Sequence, residues 1–428
     1  MKSLTEIADS LKGYDPAHLS VASALSFLDK LVDPIKDLEV LELDAALDRI
    51  LAGDLISPLD IPPQDNSAMD GYAFDGSVLN DPAGEVELAV VGRVLAGQAW
   101  LQALQPNQSL RIMTGAVLPK GLDTVIPQES VRVHADASRI RFPSSAVQSG
   151  DNRRLRGEDL RRGTIALRDG ERLSPPCLGL AASLGQRSLT VYRRPRVAVL
   201  STGDEIESVG DALRAGAVYD SNRYSLIGCL RRLACEVIDL GRIRDDPALL
   251  QQTIESAAAR ADLIISSGGI SLGEADYTRA SLGPRAEMVF WQLAMKPGRP
   301  LGVGRIRSAE RTALMVALPG NPVAALVSFL VLVRPALLKL MGCRAVPLPL
   351  LRARSSGPLA KKPGRTEYLR GQVRVDGQGQ LRAEVTGHQG SGILSSVTQA
   401  HGLIVLPHDS GPVESGDWVE MMLFDGHL

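Results

Sequence analysis

ADLIISSGG, residues 261–269, is an apolar, β-branched run of strand length that ends abruptly in two serines and two glycines. Four more runs share its character: RVAVLSTG at 196–203, CEVIDLG at 235–241, MVFWQLA at 288–294 and TALMVALPG at 312–320. Helical patterns separate them, SNRYSLIGCLRRLA at 221–234 and DPALLQQTIESAAARA at 246–261, and PVAALVSFLVLVRPALLKL at 322–340 follows the last. Apolar strands alternating with helices predict a parallel, doubly wound α/β sheet over residues 195–342.

On the N-terminal side, residues 19–32 and 44–55 read as helices, the second with Asp44 as its N-cap. The proline-rich 58–63 suits a hinge, and from there to Phe142 the runs ELAVVGRVLAG, SLRIMTGA, TVIPQESVRVHA and RIRF alternate as short strands. A charged loop spans 152–163, and a helix is expected near 176–184. Beyond Arg344 the runs EYLRGQVRV, LRAEV, GLIVLP and WVEMMLF suggest a small barrel or sandwich. The expected units are residues 1–56 with 158–194 (N-terminal, linking), 57–157 (β-rich insertion), 195–342 (α/β) and 343–428 (β-barrel-like).

Composition narrows the function. The chain has 428 residues, 44% of them hydrophobic, a formal net charge of -2 and only 4% aromatics. A single-strand nucleic-acid binder needs stacking platforms and a basic groove, and neither is present. No apolar run is expected to span a bilayer, and MKSLTEIADS lacks the apolar segment of a secretory signal, so a cytoplasmic location is expected. The four cysteines form no CxxC pair and the six histidines are scattered, which argues against a zinc or Fe–S centre.

In open α/β sheets ligands bind at the carboxyl ends of the strands. Here those ends carry Glu205, Asp245, the run Ser266, Ser267, Gly268, Gly269, Ser271 and Asp276, and then Pro319, Asn321 and Pro322. Glycines allow close backbone approach, and serine hydroxyls and amides hold oxyanions. Glu205, Asp245 and Asp276 suit a hard cation such as Mg2+, and Lys296 and Arg299 add positive charge for an anionic substrate. Each motif alone has a plainer reading. TGDE is a common turn and cap, Asp245-Asp246-Pro247 a plain N-cap with proline in the first turn, and SSGG or LPGNP a tight turn. Their coincidence at successive strand ends supports one polar crevice. The spacing is neither GxGxxG nor GxxxxGK[ST].

DNSAMDGYAF at 65–74, RIMTGAVLPKGLDTVIPQE at 111–129, RRLRGEDL at 153–160, STGDE at 201–205, SSGGISLGEADY at 266–277, KPGRP at 296–300 and LPGNPVA at 318–324 together resemble the molybdopterin molybdenumtransferase family. This family is MoeA in bacteria and the C-terminal part of gephyrin in animals. The resemblance covers essentially the whole chain. It implies a four-domain, elongated homodimer whose site lies between the α/β domain of one subunit and the β-rich domain of the other. It also implies functional roles for Asp70, Thr114, Asp159, Glu205, Asp245, Asp276, Lys296, Pro319 and Pro322. Taken alone, Asp70 and Thr114 read as turn residues, and the arginine-rich stretch before Asp159 as a solvated run. One position departs from the family: Gln292 stands where members carry a lysine, so it holds no charge against an oxyanion.

The resemblance implies a reaction in which molybdate is inserted into adenylylated molybdopterin with Mg2+-dependent release of AMP. Transient contacts with a molybdopterin adenylyltransferase and with apo-molybdoenzymes are implied as well. Three alternatives remain open: the adenylyltransferase itself, which lacks the MDGYAF and RIMTGA half; a gephyrin-like scaffold; and a paralogue specialised for tungstate or for one client enzyme.

Overall fold

The chain is described by a computed structural model covering residues 2–79, 84–268, 285–309, 311–344 and 349–424. Gly269, Ser271 and Asp276 fall outside the described residues. The α/β sheet contains β1 (Arg196–Thr202), β2 (Glu236–Ile243), β3 (Leu263–Ser267), β4 (Ala286–Gln292), β5 (Pro300–Arg307) and β6 (Thr312–Leu318), in the order β2-β1-β3-β6-β5-β4. β1 pairs in parallel with β2 and β3, and β3 with β6. The far edge differs from the expected all-parallel sheet, because β5 is antiparallel to both β6 and β4. Chain length explains it: the links into and out of β5 are far shorter than the dozen or so residues a parallel crossover needs.

β5 was not legible as a strand because glycines interrupt its apolar pattern. At Gly304 a Cβ would stand 2.1 Å from the Glu287 carbonyl oxygen, so only glycine allows β4 to pair this closely.

Both sheet faces are covered, as uninterrupted apolar strands require. Val197 and Val199 of β1 pack with Leu226 and Leu230 of α1 (Ser221–Arg232), whereas Ala198 and Leu200 pack with Leu250, Ile254 and Ala257 of α2 (Pro247–Ala258). The first face also receives Ile7, Phe27, Leu28 and Leu31 from the N-terminal helices Leu4–Asp9 and Val21–Leu31.

The helical segment Pro322–Leu340 lies in the same layer, running from α3 (Pro322–Ser328) through a π turn at Phe329–Val333 into α4 (Arg334–Leu340). A proline has no N–H and clashes with the preceding turn, and the widened turn accommodates Pro335. This segment corrects the expectation that no apolar run reaches membrane-spanning length. It has 19 residues and a mean hydropathy of 2.1, yet 78% of that window is buried inside the protein, as in a core helix.

The expected helix at 44–55 is a single 3-10 turn, Leu43–Ala46. Beyond it Asp48 (φ 61) and Gly53 (φ 86) turn the chain, and Ile50 and Leu51 form bridges to Arg172 and Val191. Leu38–Glu42 pairs with Ser188–Tyr192, and Leu55–Ile56 with Ile165–Leu167. The expected helix near 176–184 forms at Pro175–Ser183.

The β-rich region is a six-stranded sheet ordered Thr124–Pro127, Gly71–Phe74, Gln108–Ile112, Glu85–Val94, Arg139–Pro143, Arg132–Val133. Alternation along its strands sends Leu110, Ile112 and Val125 to one core and Phe74, Ile126 and Phe142 to another. At the C-terminal end Leu351–Ser355, Thr366–Val375, Leu381–Val385, Gly402–Leu406 and Trp418–Leu423 close into a five-stranded barrel around Ala353, Ile404 and Met421. Met295–Lys296 adds to this barrel beside Thr366 and Glu367, which anchors the barrel at the mouth of the α/β sheet.

Candidate active-site cleft

An open cleft of about 1510 Å³ lies at the carboxyl ends of the parallel strands. Each strand end supplies a wall. β1 leads into Thr202, Gly203 and Glu205; β2 into Asp245; β3 ends in Ser266, Ser267 and Gly268; β6 leads into Pro319, Gly320, Asn321 and Pro322. The convergence expected from the sequence is realised for these residues.

Gly268 has a φ of +96°, and a Cβ there would lie 2.4 Å from the Thr202 carbonyl oxygen. Its amide donates to the Leu318 carbonyl at 3.1 Å, which stitches the ends of β1, β3 and β6 together. Asn222 at the start of α1 reinforces the seam by donating to Ser267 Oγ at 2.6 Å and to the Gly320 carbonyl at 2.7 Å.

The segment carrying Glu205 is held from behind. Buried Glu207 accepts from Arg214 and, at 3.0 Å, from Arg242, while Arg214 also donates to the Asp204 carbonyl. The Arg214 hydrogen bond keeps the Glu207 carboxyl below the usual carboxylate range. Deeper in, Asp220 accepts from Ser201 Oγ at 2.9 Å and from Arg223 Nε at 2.8 Å. These carboxylates are structural; Glu205 and Asp245 are the exposed ones at the cleft.

The adjacent Asp245 and Asp246 part company. Asp246 caps α2, accepting from the amides of Ala248 and Leu249 at 2.9 and 3.1 Å, while Asp245 lines the cleft. The plain capping role therefore belongs to Asp246.

Lys296 and Arg299 line the opposite rim. Lys296 Nζ lies 3.7 Å from Glu367 Oε2, and Arg365 Nε donates to Glu367 Oε1 at 2.9 Å. Glu367 is 2% exposed, so one buried barrel carboxylate orients two cations toward the cleft. The barrel also contributes Gln389, Gly390, Ser391 and Gly392 to the wall. Sequence reasoning missed Asn222, Arg365, Glu367 and this loop. The one available signal was HQGSG at 388–392, a Gly/Ser run between strands much like the one after β3.

Asp70 and Thr114, 44 residues apart, meet on the β-rich sheet: the Thr114 amide and hydroxyl both donate to Asp70 Oδ1 at 2.7 Å. The amide first and then the hydroxyl lower the Asp70 carboxyl below its ordinary value. Neither residue lines the cleft of its own chain, and nor does Asp159, an exposed residue whose amide donates to the Ile61 carbonyl at 3.0 Å. Gln292 ends β4 with its backbone bonded to Pro16 and Leu19, and it too is absent from the cleft lining.

Comparison with known proteins matches all three regions. Residues 19–185 match the MoeA N-terminal region (domain I and II), residues 198–339 the probable molybdopterin binding domain, and residues 352–424 the MoeA C-terminal region (domain IV). A molybdopterin molybdenumtransferase of Haemophilus influenzae is 40% identical over 91% of this chain and 94% of its own length. One from a Nostoc species is 36% identical over 94% and 92%. The crystal structure of a molybdopterin biosynthesis moeA protein from Pyrococcus horikoshii superimposes with a TM-score of 0.80 at 27% identity, covering 95% of this chain and 99% of that one. The three regions, in this order, define a protein of the MoeA type. This chain belongs to the molybdopterin molybdenumtransferase family.

Proposed function

We propose that this protein inserts molybdate into adenylylated molybdopterin, releasing AMP with the help of Mg2+. The observation that carries this reading is the cleft itself, where carboxylates, a serine- and glycine-lined strand end and three cations (Lys296, Arg299 and Arg365) converge. The substrate is an anionic phosphoanhydride joined to a dithiolene pterin, and molybdate is a second oxyanion. The hydroxyls of Ser266 and Ser267 at the cleft suit the phosphate oxygens, and Lys296 and Arg299 suit an oxyanion at the barrel side. Such displacements depend on positioning and charge neutralisation rather than on a protein nucleophile.

Mg2+ fits the donor set. It commonly takes one or two carboxylates together with substrate phosphates, and Glu205 and Asp245 provide two at neighbouring strand ends. Among the described residues no cluster of three or more His, Cys, Asp or Glu is arranged for a metal, so the substrate would complete the coordination. When bound, the ion supplies charge neutralisation at the phosphoanhydride. Glu205 and Asp245 would hold it, while the Glu207 clamp keeps the Glu205 segment in place and buried Glu367 orients Lys296 and Arg365 at the barrel rim.

The active unit in this reading is a cytoplasmic homodimer, in which Asp70, Thr114 and Asp159 of one copy complete the cleft of the other. Placing them in a second copy accounts for three acidic or hydroxyl side chains outside the cleft of their own chain. The adenylyltransferase alternative leaves the 19–185 half without a role.

Exchange of Glu205 for glutamine tests the chemistry. AMP release from adenylylated molybdopterin should fall by about 100-fold or more with an unchanged fold, since the exchange removes a carboxylate that would hold the charge-neutralising ion. Wild-type rates in Glu205→Gln would overturn the assignment.

A further inference from the structure

The largest fully buried side chains include one arginine. Arg370, on the barrel strand Thr366–Val375, is 1% exposed, and among the described residues it has no carboxylate partner. A buried guanidinium without a counter-ion is costly, so its hydrogen bonds explain what retains it. Nε donates to Ser396 Oγ at 3.0 Å, and one terminal nitrogen donates to the carbonyls of Gly390 at 2.9 Å and His388 at 3.4 Å.

The Arg370 backbone grips the same loop. Its amide donates to Gln389 Oε1 at 2.8 Å, and its carbonyl accepts from Gln389 Nε2 at 3.2 Å and from the Thr386 amide at 2.8 Å. Residues 387–392 form neither helix nor strand, so no regular ladder pairs their backbone carbonyls, and those carbonyls take partners from elsewhere. Arg370 supplies them.

The loop it holds is a wall of the cleft, through Gln389, Gly390, Ser391 and Gly392. On its far side the Ser391 carbonyl accepts from the Val323 amide at 3.0 Å, in the first turn of α3 just after Asn321 and Pro322. The loop is therefore fastened to the barrel by Arg370 and to the α/β domain by Val323. Two positions before Glu367 and five before Arg370, Arg365 reaches the same cleft from the same stretch of chain.

We propose that Arg370 is a positioning residue, which never touches substrate but fixes loop 387–392 as the barrel-side wall of the cleft, in register with the 319–322 turn. This rests on the proposed function for its kinetic consequences and not for its structural ones. Guanidinium geometry is the point, since a lysine cannot reach Ser396 and two carbonyls together.

The test compares Arg370→Gln, Arg370→Lys and the milder Ser396→Ala with the wild-type full-length protein, by hydrogen exchange and by steady-state AMP release. Arg370→Gln should speed exchange at amides 387–394 by about tenfold or more, while β1 and β3 stay protected. KM for adenylylated molybdopterin should rise by about tenfold with kcat within a few-fold, the signature of lost binding rather than lost chemistry. Arg370→Lys should fall between, and Ser396→Ala should show a weaker form of the same pattern. Unchanged exchange at 387–394 in Ser396→Ala and Arg370→Lys would overturn the proposal, as would an equal loss of protection across every barrel strand. If Arg370→Gln does not fold, the other two variants decide. If exchange changes as expected while wild-type protein releases no AMP, the positioning role stands and the proposed function fails.

Discussion

Asp245 and Asp246 are neighbours in sequence with different work to do. Asp246 satisfies two amides at the start of α2, so Asp246→Ala should lower stability by about 1 kcal/mol in urea denaturation, with AMP release little changed. Asp245→Asn should do the reverse, keeping stability and losing activity. Asp70 offers a pH test. Folding lowers its pKa through Thr114, so its contribution to stability is present above the ordinary aspartate value and fades as pH falls through the folded value. Thr114→Val keeps the amide donor and removes the hydroxyl. By NMR titration the Asp70 pKa should then rise part of the way toward about 3.9, and the stability deficit should vanish in acid. An unmoved pKa would show that the hydroxyl bond contributes nothing. At this scale the sequence announced Glu205, Asp245 and the serines because they sit at strand ends. It could not announce Glu367 or Arg370: Lys296 meets Glu367 only where the barrel docks, and Arg370 meets its partners at 388–396 only once the barrel has folded.

Among the elements, the turn after β3 bears the tightest constraint. Gly268→Ala would put a side chain into left-handed backbone and against the Thr202 carbonyl, costing about 1–2 kcal/mol from conformation alone. Because that turn joins three strand ends, substrate binding should weaken along with the urea midpoint. Unchanged binding in a destabilised variant would separate the turn from the site. The apolar strands and the helices between them were legible from period and length. β5 escaped because close approach to β4 demands glycines where a strand pattern expects β-branched residues. The supposed helix at 44–55 failed because its apolar residues serve long-range bridges to 172 and 191 rather than one helical face.

Across the whole molecule the residues proposed for function divide into two groups. Glu205, Asp245, Lys296 and Arg299 share one cleft, whereas Asp70 and Thr114 pair on a different sheet. If two copies build each site, co-expressing Asp70→Asn with Glu205→Gln gives mixed dimers with one intact site each. About a quarter of wild-type activity should return, since half of the randomly paired dimers are mixed. No recovery would place both groups in a single chain's site. The family resemblance carried this division in advance, since no spacing rule links residue 70 to residue 245.

The central claim is tested most directly by supplying purified adenylylated molybdopterin and Mg2+ with and without molybdate, and following AMP release together with activation of an apo-molybdoenzyme. Molybdate-dependent release accompanied by activation is the predicted result. Formation of adenylylated pterin from ATP, or no turnover with either substrate, would contradict it.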